Sequence, residues 1–381
     1  MGPLHGVTII EIAAIGPVPF CGMLLSDLGA EVIRIDRTQP SNLGTPMATR
    51  YQVHLRGRRS VAVNLKTPEG RDIVLKIAAR SAAFIEGQRP GVMERLGLAP
   101  GDLGAINPAL VYGRMTGWGQ DGPYAQMAGH DINYISVPGV LHSIGYGDRP
   151  PVPPLNLVGD YGGGLFLAMG VLAAIIEAKS SGRGQIIDTA MVDTSASVMS
   201  NFYGRLAAGI WSEERGHNVQ DGGSHYYGVY ETADGLYVSI GANESKFYHR
   251  LLELLGLSHD QDMVERQRDR AAWPALRQRI ADVFRTKTQA EWRSLLENSD
   301  ACFAPVLTLR QAVNHPQLAH RGTFIELDGV VQPGPAPRFS RTVPEQPRPP
   351  VEPGTDTDAI LAEIGYNAGT IEAMRKSGAI L

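Results

Sequence analysis

The chain has 381 residues, 43% of them hydrophobic and 19% charged, with a net charge of −4 at pH 7. That is the composition of a globular protein too long for one ordinary core, so two or three domains are expected. The small net charge argues against bulk attraction to nucleic acid or to acidic membranes. Cys21 and Cys302 are the two cysteines, too few to frame a disulfide scaffold. The ten histidines form neither an H-x-x-x-H nor an H-E-x-x-H pattern, so no metal centre is expected. The opening M-G-P-L-H-G-V lacks the charged and apolar regions of a signal peptide. The longest apolar run, Leu165–Ile176, is too short to span a bilayer. The closing S-G-A-I-L is not the peroxisomal address. A cytoplasmic protein with no membrane partner is the expectation.

Val7–Ile12 is a short β-branched run and reads as a buried strand. Gly16-Pro17 breaks it. Phe20–Leu28 has helical spacing, closed by Gly29, and Glu31–Ile35 reads as a second strand. Strand, glycine turn, helix and strand make a βαβ unit, the start of a parallel α/β sheet. The first turn, A-A-I-G-P-V-P, is not G-x-G-x-x-G, so the dinucleotide fingerprint is absent. Ser60–Asn64, Ala83–Glu86, Leu110–Met115 and Gln185–Ala190 read as further strands. A helix starts at Thr67-Pro68, with threonine as cap and proline at the first helical position. Gly163–Ala178 reads as an apolar helix and Met191–Ala208 as one long helix. Residues 1–190 thus form a doubly wound domain.

The texture changes after Trp211. Residues 191–224 supply a helix and then a polar linker, Glu213–Gly223. Tyr226–Thr232 and Leu236–Gly241 alternate around Ala233-Asp234-Gly235, a hairpin signal. Helices follow at Phe247–Leu255, Pro274–Phe284 and after Thr288, where T-Q-A-E is a capping box. Residues 225–320 make a smaller α+β domain. Residues 321–381 hold a proline- and arginine-rich strap, Gln332–Pro353, and a helical tail, Thr357–Leu381, that packs back on one of the domains.

Acid–base candidates stand in G-H-D-I-N-Y, with His130, and in L-N-L-V-G-D-Y-G-G-G, with Asp160. A lone histidine is ordinarily hydrogen-bonded in a core, and an aspartate before a helix ordinarily caps it or faces its dipole. Both readings stand open beside the catalytic one. The three glycines after Asp160 favour a backbone that substrate approaches closely and whose amides are free for an oxyanion. Glu244, at a helix start, suits the helix dipole and is not singled out by pattern. Arg34, Arg37, Arg56, Arg58, Arg59, Lys66, Arg89 and Arg95 lie near turns of the α/β domain. They read either as a solvated basic face or as groups converging on phosphates, since arginine forks match phosphate oxygens.

G-H-D-I-N-Y, P-P-L-N-L-V-G-D-Y-G-G-G, E-G-Q-R-P-G-V-M-E-R-L-G, R-M-T-G-W-G-Q-D-G-P and L-S-D-L-G-A-E-V-I-R-I-D-R together resemble the α-methylacyl-CoA racemase branch of the class III (CaiB/BaiF-type) CoA-transferase superfamily. The resemblance covers nearly the whole chain. It implies an α/β fold with a Rossmann-like large domain and a small α+β domain. It implies an interlocked, ring-like homodimer, with a strap returning to the large domain. The activity it implies is interconversion of (2R)- and (2S)-2-methylacyl-CoA thioesters. His130 and Asp160 would flank the α-carbon and exchange its proton on opposite faces. Glu244 of the other subunit would partner His130, and Asn156 would support Asp160. Backbone amides near Asp160 and the glycines would hold the enolate. Histidine's ordinary pKa lies near working pH and aspartate's does not, so Asp160 should be raised by burial. CoA would be held by Arg37, by Val63, Asn64, Leu65 and Lys66, by Gly87, Gln88 and Arg89, by Arg95, and by Gly129, His130, Asp131, Ile132, Asn133 and Tyr134. Gln88 and Asn64 stand where relatives can carry an aromatic and an acid. The C-terminal helical segment is more typical of the transferase branch. No metal and no separate cofactor is implied, CoA being part of the substrate. The alternatives are a CoA transferase using Asp160 as nucleophile and a non-catalytic CoA-thioester-binding protein.

Overall fold

The apolar run after Gly6 forms β1 (Thr8–Ile12), and the Gly16-Pro17 break leads into α1 (Pro17–Asp27) and β2 (Glu31–Asp36). In the computed structural model, residues 1–40 and 44–381 are described. Further strands are β3 (Arg58–Ala62), β4 (Ala83–Glu86), β5 (Val111–Thr116) and β6 (Ile186–Ala190). All six pair in parallel in the order β3-β2-β1-β4-β5-β6. The order reverses between β1 and β4. In an open parallel sheet that reversal parts the loops beyond the strands' carboxyl ends and leaves a crevice.

Both faces of the sheet are covered, which is why its strands read as apolar runs without alternation. On one face Ile10, Ile33, Val61 and Phe84 pack with Ile73 and Ile77 of α2 (Pro68–Ala78) and with Ile360, Leu361, Ile371 and Met374 of the C-terminal helices, Thr357–Glu363 and Ala368–Ser377. On the other, Ile9, Val32, Ile85 and Val111 pack against Val18 and Leu25 of α1 and against Leu167, Val171 and Ala174 of a long helix. Two short helices, α3 (Val92–Arg95) and α4 (Pro100–Ile106), follow β4, and α5 (Asp131–Ser136) follows β5. The long helix is α6 (Gly162–Ser181), which continues a π-helical turn at Leu157–Tyr161. The whole run, Leu157–Ser181, is 25 residues, long and apolar enough to cross a bilayer by length and composition. The apolar stretch therefore continues beyond Leu165–Ile176, but α6 lies on the sheet as a core helix.

The described residues divide into two compact units. The first holds Met1–Pro138, Pro154–Val198 and Gly322–Leu381; the second holds Gly139–Pro153 and Met199–Arg321. This differs from a first domain running unbroken over 1–190. The segment Gly139–Pro153 joins the second unit because Arg215 donates to the backbone oxygens of His142, Tyr146 and Arg149 at 3.0, 3.4 and 3.0 Å. The helix expected over Met191–Ala208 is two, α7 (Met191–Val198) and α8 (Ser200–Ala207), parted at Met199. Within α7 the Thr194 hydroxyl donates to the Met191 carbonyl at 3.1 Å. Glu213–Gly223 is a built loop rather than a plain linker. Its Asp221 carboxylate accepts from the amides of Gly216, Asn218 and Gly223, each at 3.0 Å.

In the second unit β7 (Tyr227–Glu231) and β8 (Tyr237–Gly241) form the antiparallel hairpin, extended by β9 (Phe303–Pro305). Tyr226, Tyr248, Trp273, Phe284 and Trp292 form its aromatic core. Helix α9 (Ser245–Leu255) ends at Gly256, whose φ of 73° and ψ of 20° are the left-handed conformation glycine supplies at a helix end. Thr288 and Glu291 make the expected capping box. The strap runs back along the first unit. Arg348 donates to the Arg58 carbonyl and pairs with Asp356 at 2.7 Å, while its own carbonyl accepts from Gly57 at 2.9 Å.

Candidate active site

Asp160 sits in the π-helical turn, half-buried. The Asn156 side-chain amide donates to its Oδ2 at 3.0 Å. Its backbone N–H donates to Asp131 Oδ1 at 2.8 Å. Burial pushes the Asp160 carboxyl above the ordinary aspartate range; the Asn156 hydrogen bond opposes this, the Asp131 charge adds to it and His130 lowers it. Gly16 backs the carboxylate: a Cβ there would lie 2.9 Å from Asp160 Oδ2. The backbone of Gly16, at φ 70° and ψ −116°, is one that side-chain-bearing residues avoid.

His130 is the exposed N-cap residue of α5. Its backbone is held in both directions, the N–H donating to Asn133 Oδ1 at 3.0 Å and the carbonyl accepting from the Asn133 N–H at 2.8 Å. The next residue, Asp131, is buried and holds the Asp160 amide. One residue thus ties the histidine's loop to the aspartate's turn. Tyr134 fixes the same loop by donating to the Gly129 carbonyl, and Ile132 is exposed on α5. Beside Asp160 stands an aromatic wall. Tyr161, Phe20 and His54 pack with ring centroids 4.9 to 5.7 Å apart.

The expected free amides after Asp160 are not free. Gly162 donates its N–H back to Gly159 and Leu157, and the Asp160 N–H is taken by Asp131. The π turn continues the helix backward, so the amides of Gly162, Gly163 and Gly164 lie within a continuous helical run. These glycines serve close packing instead. A Cβ on Gly164 would lie 2.7 Å from the Pro17 carbonyl oxygen, and one on Gly163 would lie 3.0 Å from Met191.

A cleft of about 550 Å³ opens at the carboxyl ends of β1, β2 and β3, beside the strand-order reversal. Arg37, Val63, Asn64, Leu65, Lys66, Gln88 and Arg95 line it. A second cleft of about 860 Å³ shares Arg37 with it and is lined by Gly16 and His54. Gly87 packs closely, since a Cβ there would lie 2.9 Å from Val18. Arg89 lies near enough to the Tyr134 phenol for its charge to be felt, and Gln126 donates to the Pro90 carbonyl at 3.3 Å. The 126–134 loop thus borders the 87–90 turn.

Four of the eight basic residues are structural. Arg34 pairs with Asp36 at 2.7 Å, Arg56 with Asp27 at 2.5 Å and Arg58 with Glu11 at 3.0 Å, all buried. Arg59 bridges Glu31 and Glu363, each at 2.6 Å. Arg56, Arg58 and Arg59, at or just before the edge strand β3, meet carboxylates of α1, β1, β2 and the C-terminal tail, whereas Arg34 meets the carboxylate two residues on in its own strand. Glu244 lies in the second unit, exposed, as the N-cap residue of α9. No cluster of three or more metal-ligating side chains occurs among the described residues.

Two contributors to the site are not legible in the sequence. Gly16 reads there as a strand breaker, whereas its packing on Asp160 is a contact between distant segments. The resemblance places Asp131 with CoA, and only the fold reveals its bond to the Asp160 amide. For Gly16 the G-P dipeptide is the available signal.

A Rossmann-like parallel sheet with a cleft beside its strand-order reversal places the chain among doubly wound α/β proteins, whose ligands bind at that reversal. Within that class the chain belongs to CoA-transferase family III, whose model matches residues 4–358. It is 42% identical to an alpha-methylacyl-CoA racemase of Mus musculus over 96% of this chain and 94% of the relative. The Homo sapiens racemase is 39% identical with the same coverage. A succinyl-CoA:glutarate CoA-transferase of Homo sapiens is 28% identical over 99% of this chain and 90% of the relative. Among solved structures, a CAIB/BAIF family protein from Brucella suis superposes with a TM-score of 0.81 at 28% identity, covering 95% of this chain and 99% of that one.

Proposed function

We propose that the chain is a racemase that interconverts (2R)- and (2S)-2-methylacyl-CoA thioesters by removing and returning the α-proton through an enolate. The observation that carries this is the coupling of two acid–base groups in unlike settings. His130 is exposed on its loop, Asp160 is half-buried with a raised pKa, and Asp131 joins their segments. One group takes the α-proton while the other, protonated, delivers to the opposite face. A carboxyl raised by burial holds a proton nearer working pH, which suits proton transfer better than nucleophilic attack, for which the ionised form is needed. Identity to the two racemases, higher than to the transferase, supports the same choice.

CoA is taken up in the 550 Å³ cleft, where Arg37, Lys66 and Arg95 meet its phosphates. The enzyme acts as a homodimer, and Glu244 reaches His130 from the second subunit. The apolar face of α6 supports self-association: Leu165, Met169 and Ile176 are 54%, 61% and 70% exposed. The chemistry calls for no metal and no redox cofactor.

The test is incubation of a (2R)-2-methylacyl-CoA with the protein in deuterated water. Deuterium at the α-carbon together with epimerisation is the expected result. Neither of these, with CoA passing to an added carboxylate instead, would overturn the racemase reading in favour of the transferase. Thioester binding with neither reaction would leave the non-catalytic binding protein.

A further inference from the structure

Behind the wall of the 550 Å³ cleft lies an ion cluster that proton transfer does not use. Arg114, on β5, is 7% exposed. Its Nε donates to Glu86 Oε1 at 3.1 Å and its Nη1 pairs with Glu94 Oε1 at 2.8 Å. Glu86, fully buried at the end of β4, accepts the Gln88 backbone N–H on its other oxygen at 2.6 Å. Glu94 precedes Arg95 on α3. Gln88 and Arg95 both line the cleft. Gln88 also reaches β1's loop, its side-chain amide donating to the Ala13 carbonyl at 3.4 Å.

We infer that Arg114 is a positioning residue for CoA: one guanidinium, gripping Glu86 and Glu94 at once, sets Gln88 and Arg95 on the cleft wall. The inference rests on the CoA reading proposed above. The geometry needs a fork. The two carboxylates come from a strand end and from a separate helix, and a guanidinium presents several donors in one plane where an ammonium is a point charge. Burial pushes Glu86 up to about 7, against the pull of Arg114, so removing the guanidinium outright would strand a buried acid. Conservative variants are therefore the informative ones. Arg114→Lys keeps the charge and loses the two-way grip. Glu94→Gln releases α3 alone, and the Glu94 side chain is 41% exposed, so the fold tolerates it.

The experiment measures free CoA binding by calorimetry, and KM and kcat for α-proton exchange, in the full chain. Each variant should weaken CoA binding and raise KM roughly tenfold, the scale of one hydrogen bond to a charged group, with kcat at saturation and Tm near wild type. A merely structural arginine would instead lower Tm and kcat together without a KM split. CoA affinity unchanged in both variants overturns this inference and leaves the racemase reading standing. Should Arg114→Lys not fold, Glu94→Gln decides alone. A wild-type protein that binds no CoA overturns the CoA reading and this inference with it.

Discussion

Replacing Gly16 by alanine tests whether the turn after β1 shapes the proton-transfer site. The new Cβ would stand 2.9 Å from Asp160 Oδ2 and 3.2 Å from its Cγ. Ordinary contact begins near 3.4 Å, so the carboxylate must retreat by about 0.5 Å. A reacting group moved by ~1 Å loses about a hundredfold in rate, so a loss on the order of tenfold or more in α-proton exchange is expected. The alanine must also adopt φ 70° and ψ −116°, at roughly 1–3 kcal/mol of backbone strain. Gly6→Ala separates the two effects. Gly6 has φ 82° with nothing within 4 Å of a Cβ, so its alanine carries backbone strain alone. The assay is deuterium exchange at saturating thioester, with Tm for both variants. Gly6→Ala should lower Tm and keep kcat; Gly16→Ala should lower both. Full kcat in Gly16→Ala would refute the placement of Asp160 at the reacting carbon.

Asn156→Ala removes a side-chain hydrogen bond to the Asp160 carboxylate. Such bonds stabilise a charged acceptor by about 1.5–3 kcal/mol, so Asp160 should ionise at higher pH and the acidic limb of the kcat profile should move up; an unmoved limb would count against Asp160 as the titrating group. Asp27→Ala leaves Arg56 buried without its carboxylate, and denaturant titration should register a loss of about 3–5 kcal/mol. His225 lies fully buried beside the Tyr248 hydroxyl, and burial together with the Arg277 charge lowers its pKa to about 4. The unfolded chain then binds the extra proton first. Stability is complete above pH 6.5 and falls as the pH drops towards 4, by about 3 kcal/mol in all. His225→Gln should flatten that slope, and an equally steep slope in the variant would assign the loss to other groups.

Several features of the fold were open to local reading. Thr67-Pro68, Thr288 through Glu291 and Gly256 mark helix ends by capping chemistry that acts within a few residues. Ala83–Glu86 reads as a strand because its first three residues are an uninterrupted apolar run. Apolar periodicity does not extend to π-helical geometry. Asp160 therefore reads as a residue ahead of a helix with free glycine amides, when Leu157–Tyr161 is already helical. Charge pattern misled for a related reason. Arg56, Arg58 and Arg59 look like phosphate ligands when seen alone, and their partners Asp27, Glu11 and Glu363 are brought to them by helix and strand packing and by the returning tail, whereas Arg34 pairs locally with Asp36 on its own strand.

The parallel α/β sheet, the hairpin-containing α+β piece after it, and the candidacy of His130 and Asp160 beside their structural readings were legible in the chain. These follow from residue type and spacing, which act over a turn of helix or the length of a strand. Strand order and packing set Asp131 against the Asp160 amide, Gly16 against the Asp160 carboxylate, and Arg114 between Glu86 and Glu94. Each of those is a contact between segments distant in the chain, set by strand order and packing, which local spacing does not encode.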